Sequence, residues 1–163
     1  VLQQVWRERL APVLFVNKLD RLVTELQLSP EEAYARLRRI VSQANSILGA
    51  FASAAHYRRA DRDGQEEGGG DEDEGGGEDV EFRPEAGNVV FGSALHGWAF
   101  TAPALARVCA AKAGIDAAAL EPRMWGEWFY APKSKAVVGD SQNGRLKPTF
   151  VQFALAHVWK AHQ

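Results

Sequence analysis

A chain of 163 residues with 46% hydrophobic and 25% charged residues is large enough for one domain with its own core, and its composition is that of a globular protein. No apolar run approaches the roughly 20 residues of a membrane-spanning helix, and a single cysteine, Cys109, excludes an internal disulfide framework or a cysteine-rich metal site and is compatible with the cytosol. The net charge of −2 conceals a split: 11 of the 21 acidic residues lie between Asp61 and Glu81, beside one basic residue, Arg62. Outside that stretch, 18 basic residues face 10 acidic ones, a balance of +8 that suits a polyanionic partner such as nucleic acid or a ribosome, or serves solubility alone.

The first residues, Val1 to Arg7, form neither an initiator methionine nor a signal peptide, and the chain reads as an internal piece of something longer. Leu2, Val5, Trp6 and Leu10 recur at helical spacing until Pro12 stops them. Val13-Leu14-Phe15-Val16 is a short unbroken apolar run, as in a strand covered on both faces of a parallel sheet. Ser29, Pro30 and Glu32 carry the N-cap, first-turn proline and capping-box signals of a helix start. Tyr34, Leu37, Ile40, Val41, Ala44, Ile47 and Leu48 then predict one buried stripe, with Gly49 as terminator.

From Asp61 to Val80 the chain is rich in Gly, Asp and Glu, with too little apolar surface to offset its ordering entropy, so a disordered, solvated insert is expected. Its carboxylates lack the register of a calcium loop. Asn88-Val89-Val90-Phe91 predicts a second buried strand, and Thr101-Ala102-Pro103 opens a helix ending at Gly114, with Cys109 on its apolar side as a core residue. Asp116 can cap a further short helix. Trp128-Phe129-Tyr130 and Ala136-Val137-Val138 suit a hairpin turning near Lys133, and Phe150 to Trp159 closes the chain as an apolar helix. The order of elements predicts an open α/β sheet.

Asn17-Lys18-Leu19-Asp20 stands directly after the first predicted strand, where open α/β sheets place their ligands. Asn-Lys-x-Asp suits guanine. The Asp20 carboxylate can accept from N1–H and from the exocyclic amine, and adenine would leave it unpaired. The stem of Lys18 can lie along the base face with its ammonium in water, and the amide of Asn17 can tie neighbouring loops together. The alternative is a plain surface turn. After the second strand comes Ser93-Ala94-Leu95, which resembles the Ser-Ala loop of GTPases; the resemblance implies that the Ala94 N–H donates to guanine O6. This guanine reading requires Asp20 and Ala94 to be open and within a base-width of each other. His96, just beyond, reads as a loop or packing residue. Trp125, Trp128, Phe129 and Tyr130, beside Lys133 and Lys135, suit either a small core or stacking on RNA.

Taken with Pro12 to Arg21, Glu31-Glu32-Ala33-Tyr34, Leu95 to Phe100 and Leu120 to Glu127, these motifs resemble the elongation factor 2 superfamily of translational GTPases over nearly the whole ordered chain. Leu28-Ser29-Pro30, Gly87 to Phe91, Lys147 to Gln152 and Val158-Trp159 resemble its elongation factor-like GTPase branch, of large-subunit maturation. His96-Gly97-Trp98-Ala99-Phe100-Thr101 resembles the translocase instead. The resemblance implies part of a P-loop GTPase G domain: an open, mostly parallel sheet with flanking helices and a small inserted α+β subdomain. On that basis residues 1–60 carry the guanine-specificity motif and 61–81 the insert. Residues 82–114 carry the Ser-Ala loop, 115–149 the subdomain, and 150–163 the closing helix.

The resemblance further implies GTP or GDP as ligand, held at the base by Asn17, Lys18, Asp20, Ser93, Ala94 and Leu95. The partners it implies are the large ribosomal subunit, the Shwachman-Bodian-Diamond protein and the anti-association initiation factor, in a cytoplasmic setting without a membrane. No phosphate loop, switch threonine or Asp-x-x-Gly occurs in the 163 residues. Catalytic residues and magnesium ligands are therefore expected outside this chain, and the chain alone should be inactive. A non-catalytic ribosome- or protein-binding module is the rival from another class.

Overall fold

Ser29 and Glu32 form the predicted capping box in the computed structural model, which describes residues 2–8, 10–63 and 81–162. The Ser29 hydroxyl accepts from the Glu32 N–H at 3.2 Å, while the Glu32 carboxylate accepts from the Ser29 N–H and hydroxyl, each at 2.8 Å. Two N–H groups that a helix start leaves orphaned are thereby satisfied. The helix they open, α3 (Pro30–Asp63), does not end at Gly49 as expected. Glycine inside a helix costs only about 1 kcal/mol against alanine, and Ala50, Ala52, Ala54 and Ala55 follow it in the chain. The last turn, 61–63, takes in the start of the expected insert, and its remainder, 64–80, lies outside the described residues.

The chain divides into two compact units, one of Val1–Pro12 with Ile40–Phe82 and the other of Val13–Arg39 with Arg83–Gln163. The first holds the short helix α1 (Leu2–Arg7) and the greater part of α3. There Val41, Leu48 and Phe82 are buried, and Asn45 exchanges hydrogen bonds with the Phe82 backbone at 2.8 and 3.0 Å. Ile47, expected in the stripe, is 47% exposed.

The second unit holds β1 (Leu14–Val16), α2 (Asp20–Thr24), β2 (Val89–Ser93), β3 (Trp98–Thr101), α4 (Ala102–Ala113), α5 (Ala117–Leu120), β4 (Phe129–Ala131), β5 (Ala136–Val138) and α6 (Ala156–His162). Strands β1 and β2 pair in parallel, Val16 opposite Phe91, and β2 pairs with β3 antiparallel, Ser93 opposite Trp98. The class is mixed α/β, but the sheet is not mostly parallel: Trp98 to Thr101 folds back as a hairpin strand. Nor is β1 covered on both faces. It is an edge strand, and Phe15 is 46% exposed. An apolar run of four cannot distinguish burial on one face from burial on two.

Thr101 and Asp116 cap α4 and α5 through their side chains, and Gly114 ends α4 at φ +66°, all as predicted. The hairpin β4–β5 also forms, Phe129 opposite Val138. The closing helix begins as a wide π turn, Val151–Leu155, before α6. Cys109 is buried and its thiol, pushed up by burial, donates to the Phe153 carbonyl at 3.4 Å, as suits a core residue. Among the described residues no helix is long and apolar enough to cross a membrane.

The core of this unit is aromatic. The Phe150 ring lies 5.0 Å from Phe91, 4.9 Å from Trp125 and 5.4 Å from Tyr34, between centroids. Trp125 is thus a packing residue, and Tyr130 meets Phe153 at 4.9 Å. At Gly92 the two antiparallel strands approach so closely that a Cβ would collide with the Trp98 carbonyl and lie 2.9 Å from Ala99. Gly92→Ala is therefore expected to push β3 off β2 and destabilise the chain by about 1–3 kcal/mol. A urea midpoint unchanged from wild type would show the strands more yielding than this.

Candidate guanine-binding site

Because β1 and β2 run parallel, their carboxyl ends lie side by side, and each ends in one of the two sequence motifs. Two hydrogen bonds lace the loops that follow. The Leu19 N–H donates to the Gly92 carbonyl at 3.1 Å, and the Ala94 N–H donates to the Asn17 side-chain oxygen at 2.9 Å. The same Asn17 oxygen accepts from the Lys18 N–H at 2.7 Å. Lys18 takes φ +66°, a left-handed conformation uncommon for a residue with a Cβ and a form of strain that clusters at functional sites. Leu19 is buried beneath the loop, while Asn17 and Lys18 remain exposed.

Asp20 opens α2 with its side chain turned towards the second loop. The buried Ser93 hydroxyl hydrogen-bonds the carboxylate, which holds its pKa below the ordinary 3.8 despite burial, and the nearby His96 and His162 act in the same direction. Since the folded value is depressed, this pairing stabilises the fold above about pH 3.8 and is lost as pH falls through the lower, folded value. One carboxylate oxygen, Oδ2, lies 3.7 Å from His96 Nε2. The other, Oδ1, is buried and has no hydrogen-bond partner among the described residues. A buried acceptor without a partner is costly in a purely structural role and fits a ligand that donates to it.

Two features depart from the sequence expectation, and the first, the burial of Asp20, fails the requirement that it be open. Asp20 is 4% exposed rather than open, and the Ala94 N–H, expected to face guanine O6, is taken by Asn17. The Asn17 side-chain oxygen ties the second loop to the first, and His96 Nε2 lies 3.7 Å from the Asp20 carboxylate. Leu95 is 81% exposed. His96, read from the sequence as a loop or packing residue, stands in the turn after Ser93. The imidazole of His162 lies 5.1 Å from that of His96, and no local pattern in the sequence links the two.

No family model matches the chain. Individual proteins do match it. It is 41% identical over 165 residues to ribosome assembly protein 1 of Schizosaccharomyces pombe, and 39% identical over 170 residues to the protein of that name in Saccharomyces cerevisiae; both alignments cover the whole chain. It is 37% identical over 177 residues to human elongation factor-like GTPase 1, with 99% of the chain aligned. The chain spans only 15–16% of the length of these relatives. The names of these relatives are those of ribosome assembly and of the elongation factor-like GTPase branch that the sequence resembles. Over its whole length, then, the chain is homologous to a segment of the elongation factor-like GTPases of ribosome assembly.

Proposed function

We propose that the chain is the guanine-reading part of a ribosome-associated translational-type GTPase, acting in the cytoplasm on the large subunit. The observation that carries this reading is the lacing of Asn17 to Ala94, which sets Asp20, with its unpartnered oxygen, beside the Ser93 loop. In this reading Asp20 accepts from guanine N1–H and the exocyclic amine, the Lys18 stem and Leu95 cover the base, and the Ala94 N–H turns from Asn17 to O6. GTP supplies the scissile phosphoanhydride. Its phosphates and magnesium belong to the phosphate loop and switches of the longer protein.

The names of the relatives support ribosome assembly. We infer that GTP turnover is coupled, with the Shwachman-Bodian-Diamond protein, to release of the anti-association factor from the large subunit. Depleting the full-length protein should leave that factor bound to cytoplasmic large subunits. Normal release with stalled translocation would favour the translocase reading, which the segment His96 to Thr101 resembles. A full-length protein that hydrolyses no GTP on ribosomes would favour a binding module.

The purified 163-residue chain alone is expected to bind GTP with a Kd weaker than about 100 µM and not to hydrolyse it, because most binding energy for the triphosphate comes from the phosphate loop. Calorimetry returning a micromolar Kd would overturn this division of labour.

A further inference from the structure

The group covering the base-reading carboxylate is itself titratable. His96 is held in place by its own backbone, whose N–H donates to the Ser93 hydroxyl at 3.3 Å. Its ring then sits with Nε2 3.7 Å from Asp20 Oδ2, at the mouth of the site: the His96 side chain is 45% exposed and that of Asp20 only 6%. Among the described residues two titratable groups face the ring, Asp20 from α2 and His162 from α6, the latter 5.1 Å away between centroids. Trp98 of β3, 6.3 Å from His162, backs the second imidazole. Histidine is the side chain that ordinarily changes charge between about pH 5 and 8. A neutral ring at this distance leaves the carboxylate available to a stronger donor, whereas a charged one forms an ion pair with the oxygen a purine needs.

We propose that His96 is a proton-dependent competitor for Asp20: charged, it holds the carboxylate closed against guanine, and neutral, it yields to the base. The inference rests on the guanine reading above and adds regulation of that site. His162 supports it by position, its ring lying 5.1 Å from that of His96. Nucleotide binding should therefore weaken on acidification through the site itself, beyond any effect of protonating the phosphates.

The test uses the full-length protein and a fluorescent guanosine diphosphate, with affinities compared at pH 7.5 and 5.8. Wild type is expected to lose about five- to tenfold more affinity than His96→Gln over that interval. The ratio between variants removes phosphate protonation, which both share. His96→Lys, permanently charged, should bind weakly at both pH values, and this guards against a folding defect in the glutamine variant being read as the effect. Parallel loss in wild type and His96→Gln, with a clear preference for guanosine over adenosine diphosphate at pH 7.5, would overturn the His96 inference alone. Absence of that preference would overturn the guanine reading and the inference together.

Discussion

Asp20→Asn in the full-length protein is expected to lower affinity for guanosine diphosphate by about 10²- to 10⁴-fold and to create affinity for xanthosine diphosphate. The Asp20 carboxylate would accept two hydrogen bonds from guanine, each assisted by its charge and worth about 1.5–3 kcal/mol. At about 1.4 kcal/mol per factor of ten, losing both gives that range. Asparagine keeps one acceptor but sets an N–H₂ against the donors of guanine, so repulsion adds to the loss. Xanthine carries a carbonyl where guanine carries its amine, and that carbonyl accepts from the new amide. The gain on xanthine is the informative half, since a misfolded variant would bind neither nucleotide. Displacement of a labelled nucleotide by the guanosine, xanthosine and adenosine diphosphates measures all three affinities. Unchanged guanosine diphosphate affinity in the variant would remove Asp20 from the base site.

The elements that were legible in the sequence are those whose signals are local. Ser29 and Glu32 are three residues apart and close a capping box without help from the rest of the fold. Gly114 and Asp116 mark an end and a start by backbone and side-chain chemistry of their own. What escaped was set by neighbours distant in sequence. Gly49 carries the local signal of a stop, yet the helix runs through it. Trp98 to Thr101 is β-prone, but four residues directly after a motif read as part of the motif, and only the pairing with Val90 to Ser93 makes them a strand.

The site shows the same division. Asn17, Lys18, Asp20, Ser93 and Ala94 stand out in the sequence as motif residues, and the structure brings the two motifs together at Asn17 and Ala94. Their mutual state is not legible there: that the Ala94 N–H bonds Asn17, and that His96 lies over Asp20, follows from how two strand tips converge. Gly92 links the two levels. It is the residue before the Ser-Ala loop, its carbonyl receives the Leu19 N–H, and its missing side chain lets β3 approach.

Phe150→Ala is expected to cost about 3–5 kcal/mol of stability, the range for truncating a fully buried aromatic side chain when its surroundings cannot collapse into the space. Phe150 is 0% exposed and its ring is flanked by Phe91 from β2, Tyr34 from α3 and Trp125 from the segment after α5, with Phe100 from β3 farther off at 6.3 Å. These partners are themselves fixed. The Tyr34 hydroxyl both donates to and accepts from the Gly126 backbone at 2.9 Å, and burial pushes its pKa up to about 12. Trp125 stacks on Phe91 at 5.4 Å. Rings held at both ends cannot close over a missing neighbour, so the upper part of the range is expected. Urea unfolding of the purified chain, followed by circular dichroism, should show the midpoint falling by more than about 1 M. Phe91 stands two residues before Ser93, so loosening it should also blur the position of the Ser-Ala loop. A loss below about 1.5 kcal/mol would mean that the rings repack, and that β2 owes its place to its strand partners instead.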